Sequence, residues 1–218
     1  MLKTITIKLI AFSLCCVLIL ASAGCEGFSL LSDTTDPYRD LETANINAHE
    51  ATLTRQDIHA FDSSFSNGIN QFGFEALSTL YDGDNISISP ASLQLALLMT
   101  AAGATDETRD EMMRTLHMNT LSDTQIFESV RQLMWRTNIN GMENANSLWL
   151  QDDYPFSEDY LNIVSDSFMA DLFLTDFIED PQSSTMAINQ WADKKTHGKI
   201  PEVLSSDLST DTRLVLVN

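Results

Sequence analysis

The chain has 218 residues, 44% of them hydrophobic, with 31 acidic side chains against 12 basic ones and a formal charge of −19. That length holds one large domain or two small ones, and the composition is that of a soluble globular protein. The acidity excludes nucleic acid as a partner class, because phosphate contacts are made by Lys and Arg, and its simplest meaning is a solvated surface.

Residues 1–24 read as a signal peptide. Lys3 and Lys8 form a basic start, Leu9 to Ala21 is an apolar run, and Ser22, Ala23 and Gly24 are small residues at a cleavage position. Small residues directly followed by Cys25 resemble the lipobox of prokaryotic lipoproteins, with Ser22 where that motif most often has Leu. The resemblance implies that Cys25 becomes the lipidated first residue of an exported protein held at the cell envelope or surface. An ordinary secretory leader gives a soluble extracellular product instead. Cys15 and Cys16 leave with the leader, so the exported chain has one cysteine and no disulfide pair. Residues 25–60, rich in Ser, Thr, Asp, Glu and Asn, read as a flexible acidic tether.

The folded part is expected over 61–218. A helix runs from about Phe61 to Leu80, on the spacing of Phe65, Ile69, Phe72, in part Phe74, Ala76, Leu77 and Leu80. Tyr81 to Asp84 is a turn. Ile86 and Ile88 alternate with Ser87 and Ser89, which predicts a short strand. Ser89 then caps a helix with Pro90 at its first position and Gly103 just past its end. Leu93, Leu95 to Met99, Ala101 and Ala102 cover nearly every face of that helix, so it belongs inside a core.

Thr105 caps the next helix, which turns Met112, Met113 and Leu116 inward. Ser122 and Gln125 make a capping box for another, with Ile126, Val130, Leu133 and Met134 as its inner stripe. Asn144 to Gln151 is a strand carrying Trp149. A helix capped by Ser157 follows, with Leu161, Val164 and Phe168 on one side, and Leu172 to Ile178 is strand again. Asp180 and Pro181 open the last helix. Its apolar face is Ile188, Trp191 and Ala192, with Trp191 expected to be buried, and Lys194, Lys195 and His197 complement its C-terminal dipole. Leu214 to Val217 are four consecutive branched apolar residues, the mark of a strand covered on both faces.

No catalytic or metal motif accompanies these elements. The sequence has no Gly-x-Ser-x-Gly elbow, no phosphate-binding glycine loop and no Cys/His cluster, and its four histidines (His49, His59, His117, His197) are scattered. Neither an enzyme nor a metal or cofactor protein is indicated.

Several blocks together resemble one family. Asn85-Ile86-Ser87-Ile88-Ser89-Pro90-Ala91-Ser92, with Gly103-Ala104 and Thr108-Arg109 behind it, resembles the second-helix signature of the serpins. Ala145-Asn146-Ser147-Leu148-Trp149, Ile188-Asn189-Gln190-Trp191, Thr196 to Ile200 and Thr212 to Asn218 are similar to further serpin blocks, in the same order and spacing. His197 stands where the family most often has Asn.

The resemblance implies an α+β fold in which helices pack around a central mixed β-sheet, here incomplete at its C-terminus. It also implies an inhibitor of serine, sometimes cysteine, proteases, which offers a reactive loop as bait and inserts the cleaved loop into the sheet. Ser89, Ser92 and Asn218 match residues of the family's shutter, the polar cluster beneath the point where the sheet opens. Hydroxyls and amides exchange hydrogen bonds as strands part, so neither state strands a buried polar group; Ser89 as a plain helix cap is compatible with that role. The reactive loop of the family lies C-terminal to every residue here, so no scissile bond is assigned. The alternative is a truncated, non-inhibitory, lipid-anchored binding module.

Overall fold

The computed structural model describes residues 62–218 and, as backbone, two strands before them, β1 (Thr6–Phe12) and β2 (Cys15–Ala21). The later elements are helices α1 (Ser63–Leu80), α2 (Pro90–Ala102), α3 (Asp106–Thr115), α4 (Asp123–Ile139), α5 (Glu158–Phe168) and α6 (Pro181–Lys195). Between and after them come strands β3 (Asn146–Gln151), β4 (Ala170–Thr175) and β5 (Leu214–Val217). Contacts among the described residues gather into two compact units. One contains β1, β2, β5, α6 and most of β3 and β4; the other contains α1 to α4 and most of α5.

The helical unit is built on α2. Leu95, Ala96, Leu98, Met99 and Ala101 are all buried, as expected of a helix that is apolar all round. Pro90 sits at its N-terminus, and the Ser89 side chain accepts the Ser92 amide. A Cβ on Gly73 of α1 would lie 2.8 Å from the Pro90 ring, so only glycine lets these two helices approach so closely.

Gly103 ends α2 as expected, for a reason other than backbone conformation. Its φ is −94°, open to any residue, but a Cβ there would lie 3.1 Å from the Tyr160 ring of α5. Ser122 and Gln125 form the expected reciprocal capping box on α4, and Ile126, Val130 and Met134 turn inward.

The strand expected at Ile86 and Ile88 does not form. Asn85 to Ile88 are extended but make no backbone hydrogen bond among the described residues. Alternation predicts only the pleat; a strand also needs a neighbour, and none lies beside it among the described residues.

In the sheet unit the strand order is β1-β2-β5-β3-β4. β5 is the middle strand and all four of its residues are buried, as four consecutive branched apolar side chains require. It is antiparallel to β3, with Leu214 opposite Leu150 and Val217 opposite Ser147. β3 and β4 run parallel: the Asn146 side chain donates to Phe168 O at their starts, and Asp152 N donates to Thr175 O at their ends. The helical crossover α5 is the connection such a pair needs.

Val215 and Val217 pack with Trp149, Phe177, Ile188, Ala192, Val203, Leu204 and Leu208. Trp149 stacks on Phe173 at 4.2 Å between centroids. Trp191 differs from expectation. It is only half-buried against this cluster and hydrogen-bonded to Asp171, while Ile188 and Ala192 are the fully buried residues of α6. An indole is long enough to pack its body and keep its N–H at the rim, where a partner is available.

On the other side of β5 lies β2, antiparallel, with Val17 opposite Val217 and Leu20 opposite Leu214. An uncharged apolar run and an open strand edge satisfy each other's backbone groups. The expected tether and Cys25 lie outside the described residues.

Candidate functional site

Two polar pairs carry the residues singled out from the sequence. At the start of α2, Ser89 has extended backbone angles, and its Oγ stands 3.4 Å from the Ser92 amide. The Ser89 hydroxyl also donates to Ser92 Oγ at 3.0 Å, and both serines are half-buried. The first turn of α2 brings the two hydroxyls together because residues three apart share a helix face.

Asn218 makes a different contact. Its Nδ2 donates to Oδ1 of Asn146, and Nδ2 of Asn146 donates to Phe168 O at 2.6 Å. The pairing follows from register, since Val217 opposite Ser147 in antiparallel strands sets Asn218 opposite Asn146. Asn146 is 1% exposed, and both its donor and its acceptor are used. An unpaired amide at that depth would cost ~1–3 kcal/mol, so the pair is held firmly. No hydrogen bond joins Asn218 to Ser89 or Ser92.

Sequence reading quotes Asn146 within a motif without giving it a role. The missing signal was the antiparallel register, which places two residues far apart in sequence side by side.

These groups are hydroxyls and amides. Each can both donate and accept a hydrogen bond. The histidines offer no alternative. His117 pairs with Glu75 at 2.9 Å, and its hydrogen bond holds that carboxyl below its usual range. His197 follows α6 at a φ of 53°, where glycine or asparagine is usual, and Gly198 continues the left-handed turn. His49 and His59 lie outside the described residues.

A cleft of about 410 Å³ between α3 and α4 is lined by Arg109, Met113, Arg114 and Ile126 among others, with no Ser, Cys or His. Among the described residues no group of three or more His, Cys, Asp or Glu could hold a metal, and no helix is long and apolar enough to cross a membrane.

The described residues thus form an α+β framework of helices and a mixed sheet. The family model for the serpins (serine protease inhibitor) matches residues 67–218, and the chain belongs to that family. An uncharacterised serpin-like protein of Thermococcus kodakarensis is 29% identical over 211 residues, 93% of this chain and 49% of the relative. The leukocyte elastase inhibitor of Xenopus tropicalis is 31% identical over 162 residues, 71% of this chain and 43% of its own length. Among solved structures, the thermophilic serpin Tengpin in the latent state superimposes with a TM-score of 0.62 at 30% identity, over 73% of this chain and 44% of Tengpin. The chain thus spans about half the length of the curated relatives it matches.

Proposed function

We propose that these 218 residues are the N-terminal part of a serpin that inhibits an endopeptidase of the serine or cysteine class, and that the bait loop belongs to the half of the family's length not covered here. The observation that carries this reading is the serpin match over 67–218, in a sheet whose strand β5 pairs with β3 and ends in the Asn218–Asn146 contact. The relatives include a leukocyte elastase inhibitor, which supports a protease as the partner. In this reading Ser89, Ser92 and Asn218, joined by Asn146, act as the shutter. Asn218 releases Asn146 as β5 moves from β3, and the freed amides find new partners on an arriving strand. The role is conformational, with no catalysis.

The test is to incubate the 218-residue chain, and separately the product of the whole reading frame, with a panel of serine and cysteine proteases and look for an SDS-stable adduct. The whole product is expected to form one and the 218-residue chain none. An adduct with the short chain refutes the assignment of the bait loop, and a folded whole product that never forms one favours a non-inhibitory binding module.

The same reading places the protein outside the cytoplasm, anchored by lipid at Cys25, with 1–24 removed and 25–60 as tether. Metabolic labelling with a fatty acid is expected to tag the wild type and to miss Cys25→Ala. Equal labelling of both eliminates the anchor and leaves a secreted product.

A further inference from the structure

β4 is the last strand of its sheet. β3 is its neighbour on one side, and among the described residues no strand pairs with its other edge. Thr175 O accepts the Asp152 amide and so points to β3. In an extended strand the amide and carbonyl of one residue point to the same side, and the side alternates from residue to residue. The backbone groups of Leu172 and Leu174 therefore point away from β3, and no backbone group elsewhere among the described residues bonds to them. The side chains alternate as well. Asp171 and Thr175 reach Trp191 and Ser184 of α6, which leaves Leu172 and Leu174 on the opposite face. Leu174 is 42% exposed, and Ile178, in the turn after β4, is 41% exposed. An edge of this kind pairs with another chain unless a charge, a proline or a covering element prevents it. The one charged residue of β4 is Asp171, and Lys195 neutralises it at 2.8 Å.

The two ends of β4 differ in charge. Beyond the neutralised Asp171, its far end is followed by Asp176, Glu179 and Asp180, and Asp152 and Asp153 lie beside it through the bond to Thr175. The sequence has no Lys, Arg or His from Thr137 to Asp193. The donors that reach Asp176 and Asp180 are neutral, namely the Gln151 side chain and the amides of Ile178, Glu179 and Ser183. Neutral donors hold these carboxylates in place and leave their charge uncompensated. We infer that the free edge of β4 binds an extended segment of a protein partner, one whose apolar residues lie beside Leu172 and Leu174 and whose basic residues lie at the Thr175 end. Backbone pairing supplies the attachment, and the carboxylates set the partner's charge and position. Charge disfavours the other occupants. A second copy carries −19 of its own, and residues 25–60 are acidic. This binding is separate from protease inhibition and involves none of Ser89, Ser92, Asn146 and Asn218.

The probe is a fluorescent peptide of alternating valine and threonine that ends in a run of lysines. Its control is the same peptide N-methylated throughout the valine–threonine part, which keeps charge and side chains but cannot pair. The first peptide is expected to bind the 218-residue chain and to slow exchange of the Leu172 and Leu174 amides at least about tenfold. The control is expected to bind at least about tenfold more weakly. Leu174→Lys puts a positive charge on the edge and should weaken binding at least about tenfold, while Met186→Lys, the same charge change at a 45% exposed position of α6, should stay within about twofold. Equal binding of the two peptides, or equal loss in the two variants, reduces the effect to attraction by an acidic surface and overturns the proposal. Unchanged exchange at Leu172 and Leu174 in the saturated wild type overturns it without recourse to any variant. Protection of those amides in the absence of peptide also overturns it: if it grows with concentration, the occupant is a second copy, and if it appears only in the product of the whole reading frame, the occupant is the rest of the polypeptide.

Discussion

Asn189→Ala is expected to be among the most costly single substitutions in the sheet unit. The side chain of Asn189, on the inner side of α6, makes three hydrogen bonds to the segment that leads into β5. Its Nδ2 donates to Leu204 O at 2.9 Å, and its Oδ1 accepts the amides of Val203 and Leu204, each at 2.9 Å. Val203 and Leu204 are themselves 4% and 5% exposed, so water is poorly placed to replace the lost partners. A net value of ~1 kcal/mol per hydrogen bond gives ~3 kcal/mol for the amide. With a urea dependence of ~2 kcal/mol/M, the unfolding midpoint drops by ~1.5 M. Tryptophan fluorescence reports on this transition, because Trp149 and Trp191 pack in the same core.

Asn189→Asp supplies a second arm. It keeps the acceptor for both amides but turns a carboxylate oxygen toward the Leu204 carbonyl. The folded state then favours the protonated acid, so the folded pKa is raised. The variant is therefore weakened least at about pH 4 and most at about pH 7. A loss below ~0.5 kcal/mol for Asn189→Ala, the range of ordinary surface changes, together with a pH-independent Asn189→Asp, would refute the clamp.

Asp171 Oδ2 accepts both Trp191 Nε1 at 3.0 Å and Lys195 Nζ at 2.8 Å. Asp171→Ala should cost ~1 kcal/mol by urea unfolding, mostly through the indole, since the ion pair is half-exposed and Lys195→Met should cost little. Gly103→Ala should destabilise by ~1 kcal/mol through contact with the Tyr160 ring, and the penalty should shrink in a Tyr160→Ala background; an equal penalty in both backgrounds would point to backbone strain instead. At Asp176, burial favours the neutral acid, but hydrogen bonds from the Glu179 amide, the Gln151 side chain and the Ile178 amide outweigh it and leave the pKa below the usual range. A depressed folded pKa contributes stability above the unfolded value, about 3.9 for Asp, and loses it as pH falls toward the folded value. Unfolding midpoints measured from about pH 5 downward should therefore fall less steeply in Asp176→Asn than in the wild type, and parallel curves would remove Asp176 from the acid response.

The elements that the sequence by itself determined are those whose cause is local. The Ser122–Gln125 capping box, the Asp180–Pro181 start of α6 and the Ser89–Pro90 start of α2 each satisfy helix-end amides with a side chain at most three residues away. The interior position of α2 and the central position of β5 follow from apolar residues on every face, which only a core can cover. Tertiary structure decided what depends on a distant partner. Ile86 and Ile88 have strand alternation without a strand, because the ladder needs a neighbour that alternation does not provide. Gly103 is explained by the Tyr160 ring, and Trp191 is held at the rim by the Asp171 carboxylate twenty residues earlier. Within the candidate site, helical spacing alone brings Ser89 to Ser92. The contact of Asn218 with Asn146 spans 72 positions and exists only because β5 pairs antiparallel with β3 in one register. A one-residue slip would move the whole strand to the opposite face and take that contact with it.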